Sequence, residues 1–347
     1  MGHHTDRIQS LVRDAVRARV CPGAVWSVGD AEGVLADGAA GVLDPACPDE
    51  PMRSDTLFDL ASLTKILAVW SVAGILARSG RLELHRPLGT FWPEAAGRPL
   101  GAVTAHHLMT HTAGLPLRAN LRHHYGGDPA AVRAGVLAEP LRHPPGRAVA
   151  YTDRAALVLG YLAEHLTGRT LADLAASRVW TPLGMSETRY GPLTADAAAR
   201  CAPTEFDDGA GAHLKGTVHD FSTRLLGGAC GIAGVFAPAG DLARFLRHAL
   251  APGPAAFDGP WVAESLRIRT GRLAPARGLL WHPDPDPVPG GGGRPDVWAH
   301  FGFTGTAMWV SPARRRWAVL LTNKLYFTRE SRPVAALRDR FRSYAFS

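Results

Sequence analysis

Strand-like runs sit near the two ends of this 347-residue chain and are scarce between them. Residues 24–28 and 33–42 make one group, separated by the Gly-containing turn 29–33. Residues 297–303, 306–310 and 317–322 make the other. The stretch between carries apolar residues at helical spacing over 62–78, 103–111, 129–138, 153–167, 170–178 and 240–250, divided by Pro/Gly loops. Strands need partners, so the sheet has to be assembled from both ends of the chain. The amphipathic segments 6–19 and 332–344 supply terminal helices to cover it. The expectation is an α/β (α+β) protein: an antiparallel sheet flanked by terminal helices, with an all-helical domain inserted. The boundaries fall at 1–61 and 216–347 for the discontinuous sheet domain and 62–215 for the helical one. A site is expected in the cleft between them. Residues 45–54 read as a Pro-rich loop, and 284–294, with four consecutive glycines, as a surface loop.

Composition narrows the function class. Hydrophobic residues are 46% and charged residues 20%, enough apolar material for a large core. The net charge is +7, yet lysine occurs only at 65, 215 and 324, so arginine supplies 35 of the 38 basic residues. That bias fits GC-rich coding. The arginines are scattered, with Arg314–Arg316 the longest run, and no basic stripe is interleaved with aromatics, so no nucleic-acid partner is expected. Residues 1–20 lack the apolar core of a secretory signal. No apolar run reaches 18 residues, so no membrane span is expected; the longest, 66–76, is broken by Ser71 and reads as a buried helix. Cys21, Cys47, Cys201 and Cys230 have no C-x-x-C spacing, which suits reduced, mostly buried thiols and a cytoplasmic protein. The His106/His107 and His123/His124 pairs are adjacent rather than four apart, and no H-E-x-x-H occurs, so no metal or other cofactor is expected. Gly290–Gly293 lacks the Lys-Ser/Thr of a phosphate loop, and no G-x-S-x-G elbow is present. His111 reads as a turn-fixing residue.

Three clusters carry candidate chemistry. Ser62 stands three residues before Lys65, one turn away on the same helix face, where a helix should begin. Amide groups and the positive dipole end gather there. A serine hydroxyl needs an adjacent base or cation to act as a nucleophile. A desolvated lysine has its pKa pushed down and can relay a proton. The alternative is a helix cap beside an ordinary lysine. In the second cluster, Pro144-Pro145-Gly146 leads to Tyr151, and Asp153 opens a helix. A phenol beside a cation can serve as general base and then acid; the alternative is a core tyrosine. The third cluster is Trp298 to Thr306, where His300 precedes Gly302 and Gly305. Glycines in a strand signal permit close approach of a ligand or another backbone; the alternative for His300 is a structural histidine.

Taken together and in this order, the clusters resemble the serine β-lactamase and penicillin-binding-protein superfamily, in its class C-like branch of esterases, D-amino-acid peptidases and transacylases. The family's Ser-x-x-Lys is similar to Ser62 and Lys65, its Tyr-x-Asn or Tyr-x-Ser to Tyr151–Asp153, and its Lys-Thr-Gly strand motif to His300-Phe301-Gly302. Segments such as Leu108-Met109-Thr110-His111-Thr112-Ala113-Gly114-Leu115 and Thr181-Pro182-Leu183-Gly184-Met185 follow in family order, as does Pro203-Thr204-Glu205 before Gly216-Thr217-Val218-His219-Asp220. The resemblance implies a β-lactamase/transpeptidase-like fold and an acyl-Ser62 enzyme. Lys65 and Tyr151 would share the proton work. The amides of Ser62 and Phe303 would form the oxyanion hole. Asp153, His300, Phe301 and Gly302 would contact substrate.

The departures bear on substrate. His300 and Phe301 replace a Lys and a Thr that bind carboxylates, and Asp153 adds a negative charge. The expectation is therefore a hydrolase of a carboxylic ester or small amide. A second expectation keeps the acyl-enzyme but passes the acyl group to an amine or alcohol in small-molecule biosynthesis; a cleft lined by Trp298, Phe301 and Phe303 would favour it by excluding water. A third is a non-catalytic binding protein on the same fold. The expected partners are a small-molecule acyl donor and, for transfer, an amine or alcohol acceptor.

Overall fold

The computed structural model describes residues 2–117, 120–285 and 295–347. Most of the expected loop 284–294, including Gly290–Gly293, lies outside the described residues. The main sheet has seven strands drawn from both ends of the chain. In spatial order they are Cys47–Pro51, Val34–Asp44, Gly23–Gly29, Arg316–Thr322, Ala307–Ser311, Trp298–Phe301 and His282–Pro283. Every neighbouring pair is antiparallel, and the first and last segments join where Ala24 faces Thr322 and Gly29 faces Trp317.

Period-two alternation assigns the two faces. Ala24, Trp26, Val28, Ala307, Trp309, Ala318 and Leu320 face outward, under Ile8, Leu11 and Val12 of the N-terminal helix (Gly2–Arg17) and Leu337 and Phe341 of the C-terminal helix (Arg332–Ala345). Val25, Met308, Val310, Trp317, Val319 and Leu321 face inward, toward the larger core that contains the helix Ala239–Leu250. Strands covered on both faces explain the near-continuous apolar runs in the sequence.

Two local expectations are corrected. Part of the expected loop 45–54 is a strand, Cys47–Pro51, paired to its neighbour through Val42–Pro51 and Asp44–Cys47. It is the exposed sheet edge, where proline's missing N–H costs no ladder bond. The expected single helix from Ser62 is composite: a 3₁₀ turn at Ala61–Leu63, a π-helical stretch at Lys65–Trp70 and an α-helix at Ser71–Arg78. Ser71 Oγ and Trp180 Nε1 donate to the carbonyls of Ile66 and Leu67 inside the widened turn. Gly80, at φ +70°, follows the end of this helix. The span Ala61–Arg78 is long and apolar enough to cross a membrane by length and composition, but most of it is buried in the protein. Trp70 anchors it, edge-on to Phe257 at 4.6 Å and Trp281 at 5.9 Å, with its indole N–H on Ser265 Oγ.

A three-stranded sheet of Phe58–Asp59, Val235–Ala237 and Arg189–Tyr190 straddles the expected boundaries near 61 and 216. It sets the chain just before Ser62 against segments from both parts. On the other side of the cleft, Tyr151 and Thr152 lead into the helix Asp153–Thr167, whose first turn is pinned by Thr152 Oγ1 on the Arg154 amide. Arg154 then enters the core and meets Glu139 at 2.9 Å, which also accepts from Tyr125 Oη at 2.6 Å. Both charged partners are buried. Removing one partner of such a pair leaves the other charge uncompensated. Glu139→Ala should lower stability by roughly 3–5 kcal/mol in denaturant unfolding; a loss below about 1 kcal/mol would show the pair to be well solvated.

Candidate active site

The turn that presents Ser62 is held by a buried carboxylate. Asp59 Oδ1 accepts from the Ala61 amide at 2.9 Å, and Oδ2 accepts from the His219 amide at 2.7 Å. Burial raises the Asp59 pKa against those two donors. Ala61 is left at φ +46°, a region a non-glycine residue enters at a cost of about 1–2 kcal/mol. From the other side, Thr304 Oγ1 donates to the Asp59 carbonyl and Thr306 Oγ1 to the Leu60 carbonyl. A Cβ on Gly302 would lie 2.0 Å from Thr306 Oγ1 and 2.5 Å from the Leu60 oxygen, so only glycine permits this approach. The same turn places the Phe303 amide, which has no hydrogen-bond acceptor among the described residues.

Lys65 is fully buried, and its ammonium reaches Ser62 Oγ at 2.9 Å, the Ile232 carbonyl at 2.9 Å and Asp153 Oδ1 at 2.8 Å, with the Tyr151 hydroxyl as a further partner. This corrects the expectation of a lowered lysine pKa. Burial does pull it down, but the charge of Asp153 and the phenol of Tyr151 pull harder, and the net shift is upward. Asp153, expected as a substrate contact, is thus also the counter-ion of Lys65. Tyr151 is 40% exposed, with its ring centroid 5.5 Å from Lys65 Nζ. The ring leans on His111 at 4.5 Å and approaches His300 at 6.4 Å. His111 sits at φ +56°, accepts the Ala150 amide on its carbonyl and takes the Thr152 amide on Nδ1, so it shapes the turn beneath Tyr151.

The strand motif divides by parity. His300 faces inward and is 2% exposed, with Nδ1 2.8 Å from the Leu280 carbonyl. Burial, then the nearby Lys65, drive its pKa down to about 3, so it is neutral. It is not on the cleft wall. Phe301 points the opposite way, against Trp309, His282 and Arg338 on the outer face of the sheet. Trp298 lines a different groove, with Val262 and Leu266. The expected Trp298/Phe301/Phe303 lining therefore reduces to Phe303: Trp298 and Phe301 point to opposite faces of their strand, and Phe303 lies beyond the end of that strand, past Gly302.

The cleft holds about 700 Å³ and brings Ser62, Tyr151, Asp153 and Phe303 onto one surface. Its rim includes residues the motifs did not mark: Leu117, Phe221, and His219 bound to Glu205 at 2.7 Å, which in turn holds Arg329. Of these, only Glu205 and His219 lay in segments the sequence had flagged, and the pairing was not visible there. Leu117 and Phe221 carry no motif. Among the described residues no group of three or more His, Cys, Asp or Glu is placed to hold a metal.

Comparison with known proteins gives one family. The profile described as Beta-lactamase matches residues 8–340. A putative D-alanyl-D-alanine carboxypeptidase of Escherichia coli K12 is 26% identical over 80% of this chain and 71% of its own. Esterase EstB of Burkholderia gladioli is 34% identical over 53% of this chain and 51% of its own. The structure of simvastatin synthase (LovD) from Aspergillus terreus superposes with a TM-score of 0.78 at 21% identity, covering 99% of this chain and 94% of that one.

The buried imidazoles behind Tyr151 make stability sensitive to acid. His111 and His282 have pKa values well below normal and His300 near 3, chiefly through burial. Each folds neutral, whereas the unfolded chain takes up a proton below about pH 6.5. Stability is therefore complete above that value and falls toward pH 3, by about 1.4 kcal/mol per pH unit for each histidine. His300→Gln should flatten the slope of unfolding free energy between about pH 6 and 5 by one proton's worth; an unchanged slope would place a charged imidazole in the fold.

Proposed function

The chain belongs to the beta-lactamase family, and from that premise we propose that it is a serine hydrolase cleaving neutral carboxylic esters through an acyl-Ser62 intermediate. The observation that carries the reading is Ser62 Oγ hydrogen-bonded to the buried Lys65 at the floor of an open cleft. Ser62 Oγ attacks the ester carbonyl, and its proton leaves toward the Lys65–Tyr151 side. The developing oxyanion is received by the amides of Ser62 and Phe303. Removing one such donor typically costs about 3–4 kcal/mol of transition-state stabilisation. Tyr151 protonates the departing alcohol, and water then releases the acid.

The preference for neutral esters rests on what the strand wall lacks. A carboxylate-bearing β-lactam or peptide terminus is best held by a permanent cation. Here that position is a neutral, buried His300, and Phe301 is turned away. Of the arginines lining the cleft, Arg224 and Arg329 are paired with Asp207 and Glu205, and the rim adds apolar surface: Leu117, Phe221 and Phe303 are 43%, 61% and 41% exposed beside the cleft. Exposed apolar side chains grouped around a site favour an apolar ligand. The same rim supports a second reading, in which an alcohol or amine displaces water as acyl acceptor.

Incubation with a fluorophosphonate or p-nitrophenyl acetate should add one acyl or phosphonyl mass to the wild type and none to Ser62→Ala. An equal adduct on both proteins would remove Ser62 as nucleophile. With longer p-nitrophenyl esters, Phe303→Ala and Phe221→Ala should each raise KM roughly ten-fold, the effect of about 1.4 kcal/mol of lost apolar contact. Benzylpenicillin should be a far poorer substrate than either ester. Added alcohols that divert the acyl group into ester product over acid would establish transfer.

A further inference from the structure

We propose that Arg338 is a positioning residue for the oxyanion hole: from the C-terminal helix it grips the peptide unit whose other end is the Phe303 amide. This rests on the acyl-Ser62 reading. Residues 302–306 form a tight turn between the strands Trp298–Phe301 and Ala307–Ser311. The Gly302 amide donates to the Thr306 carbonyl at 2.7 Å, and the Gly305 amide to the Gly302 carbonyl at 3.1 Å. Arg338 lies in the helix Arg332–Ala345, and its Nη2 donates to the Gly302 and Thr306 carbonyls, both at 2.8 Å. One nitrogen with two protons thus clamps the base of the turn. The guanidinium carbon lies over the Phe301 ring, 4.6 Å from its centroid. Phe301, turned away from the cleft, seats the cation that acts on the turn. Burial lowers the Arg338 pKa to about 10, which leaves it charged at neutral pH.

The Gly302–Phe303 peptide is trans. A trans peptide unit is planar, with its C=O and N–H pointing in opposite directions. A donor that fixes the Gly302 oxygen on the helix side therefore aims the Phe303 N–H the other way. Phe303 lines the cleft with Ser62, and its amide has no acceptor among the described residues. The clamp also carries charge. A cation donating to a carbonyl draws electron density along the amide and strengthens the N–H at its far end as a donor. In acylation and deacylation alike, the acyl carbonyl oxygen takes up the π electron pair as Ser62 Oγ or water adds, and returns it as the alcohol or Ser62 Oγ leaves. Arg338 is not among the residues lining the cleft. It acts through the aim and strength of one of the two donors that receive the oxyanion, in both steps.

The sequence makes this measurable. Gly302-Phe303 is its one Gly-Phe step, so protein labelled with ¹³C′-glycine and ¹⁵N-phenylalanine gives a single coupled carbonyl–amide NMR signal, from this peptide. In Arg338→Met the Gly302 carbonyl resonance should move upfield, the direction for a carbonyl that loses a hydrogen bond. With p-nitrophenyl acetate, kcat should fall about ten-fold, a part of what loss of a whole oxyanion donor costs. KM should stay unchanged, because acylation and deacylation slow together and KM depends on their ratio. Arg338→Lys keeps the charge and the aliphatic stem, and should lie between wild type and Arg338→Met in both readouts; it also serves where methionine unsettles the helix. Phe301→Leu removes the seat of the guanidinium and should move both readouts the same way, by less. An unmoved Gly302 signal in Arg338→Met, a moved signal with wild-type kcat, or a loss of kcat matched by a change in KM would overturn the proposal. The signal is read in resting protein. A wild type never acylated on Ser62 removes the hydrolase reading, while the Gly302 resonance still shows whether Arg338 holds the turn.

Discussion

The site depends on one arrangement: a lysine nitrogen removed from water and held among the oxygens of Ser62, Ile232, Asp153 and Tyr151. Burying a charge is costly unless its partners replace what water supplied. For Lys65 those partners come from three separate segments, the turn at Ser62, the carbonyl of Ile232 and the carboxylate of Asp153. The surroundings can be understood as the scaffold that brings these segments to one point. The small sheet joining Phe58–Asp59 to Val235–Ala237 brings the Ser62 turn beside the chain that carries Ile232, and the Thr64 hydroxyl accepts the Val235 amide. The Arg154–Glu139 pair pins the start of the helix that carries Asp153.

The backbone around Ser62 is shaped by the same demand. Ala61 at positive φ turns Ser62 into the cleft, and Asp59 and the Thr304 and Thr306 hydroxyls hold that turn from both sides. Asp59 is itself buried with a raised pKa, so the local strain is balanced by hydrogen bonds rather than relieved. Strain maintained by over-determined contacts is a common property of reactive centres. The π-helical turn following Ser62 belongs to the same local departure from regular geometry, a feature often found at functional sites.

Much of this was legible in the residues. Strand patterns at the two ends required a sheet closed between them, and the sheet runs that way. The three-residue offset of Ser62 and Lys65 put their side chains in contact, at 2.9 Å. Other features were hidden because they depend on distance across the fold. The direction of the Lys65 shift is set by a carboxylate 88 residues later, and spacing alone cannot say whether Asp153 points at substrate or at lysine. Phe301 was readable but misjudged: it alternates with His300, so the two could not both face the cleft. The edge strand Cys47–Pro51 was masked by its prolines, which a sheet edge tolerates.

The rarity of lysine also gains a physical reading. Lys65 and Lys324 share a theme, an amine enclosed by several oxygens. Lys324 Nζ donates to the carbonyls of Thr328, Arg329 and Glu330 at 3.0–3.4 Å, beneath Phe303 at the cleft rim. A tetrahedral ammonium meets three acceptors converging on a point; a planar guanidinium directs its donors outward in a fork and suits paired oxygens, as at Glu205. In a chain that uses arginine for nearly every positive charge, these two positions require the compact cation. They differ in sign of shift. Burial and neighbouring arginines bring Lys324 down to about 8, because its acceptors are uncharged carbonyls. Lys65, more deeply enclosed, moves upward because the charge of Asp153, and then Tyr151, oppose burial. The contrast between the two lysines lies in their neighbours: arginines beside Lys324, a carboxylate and a tyrosine beside Lys65.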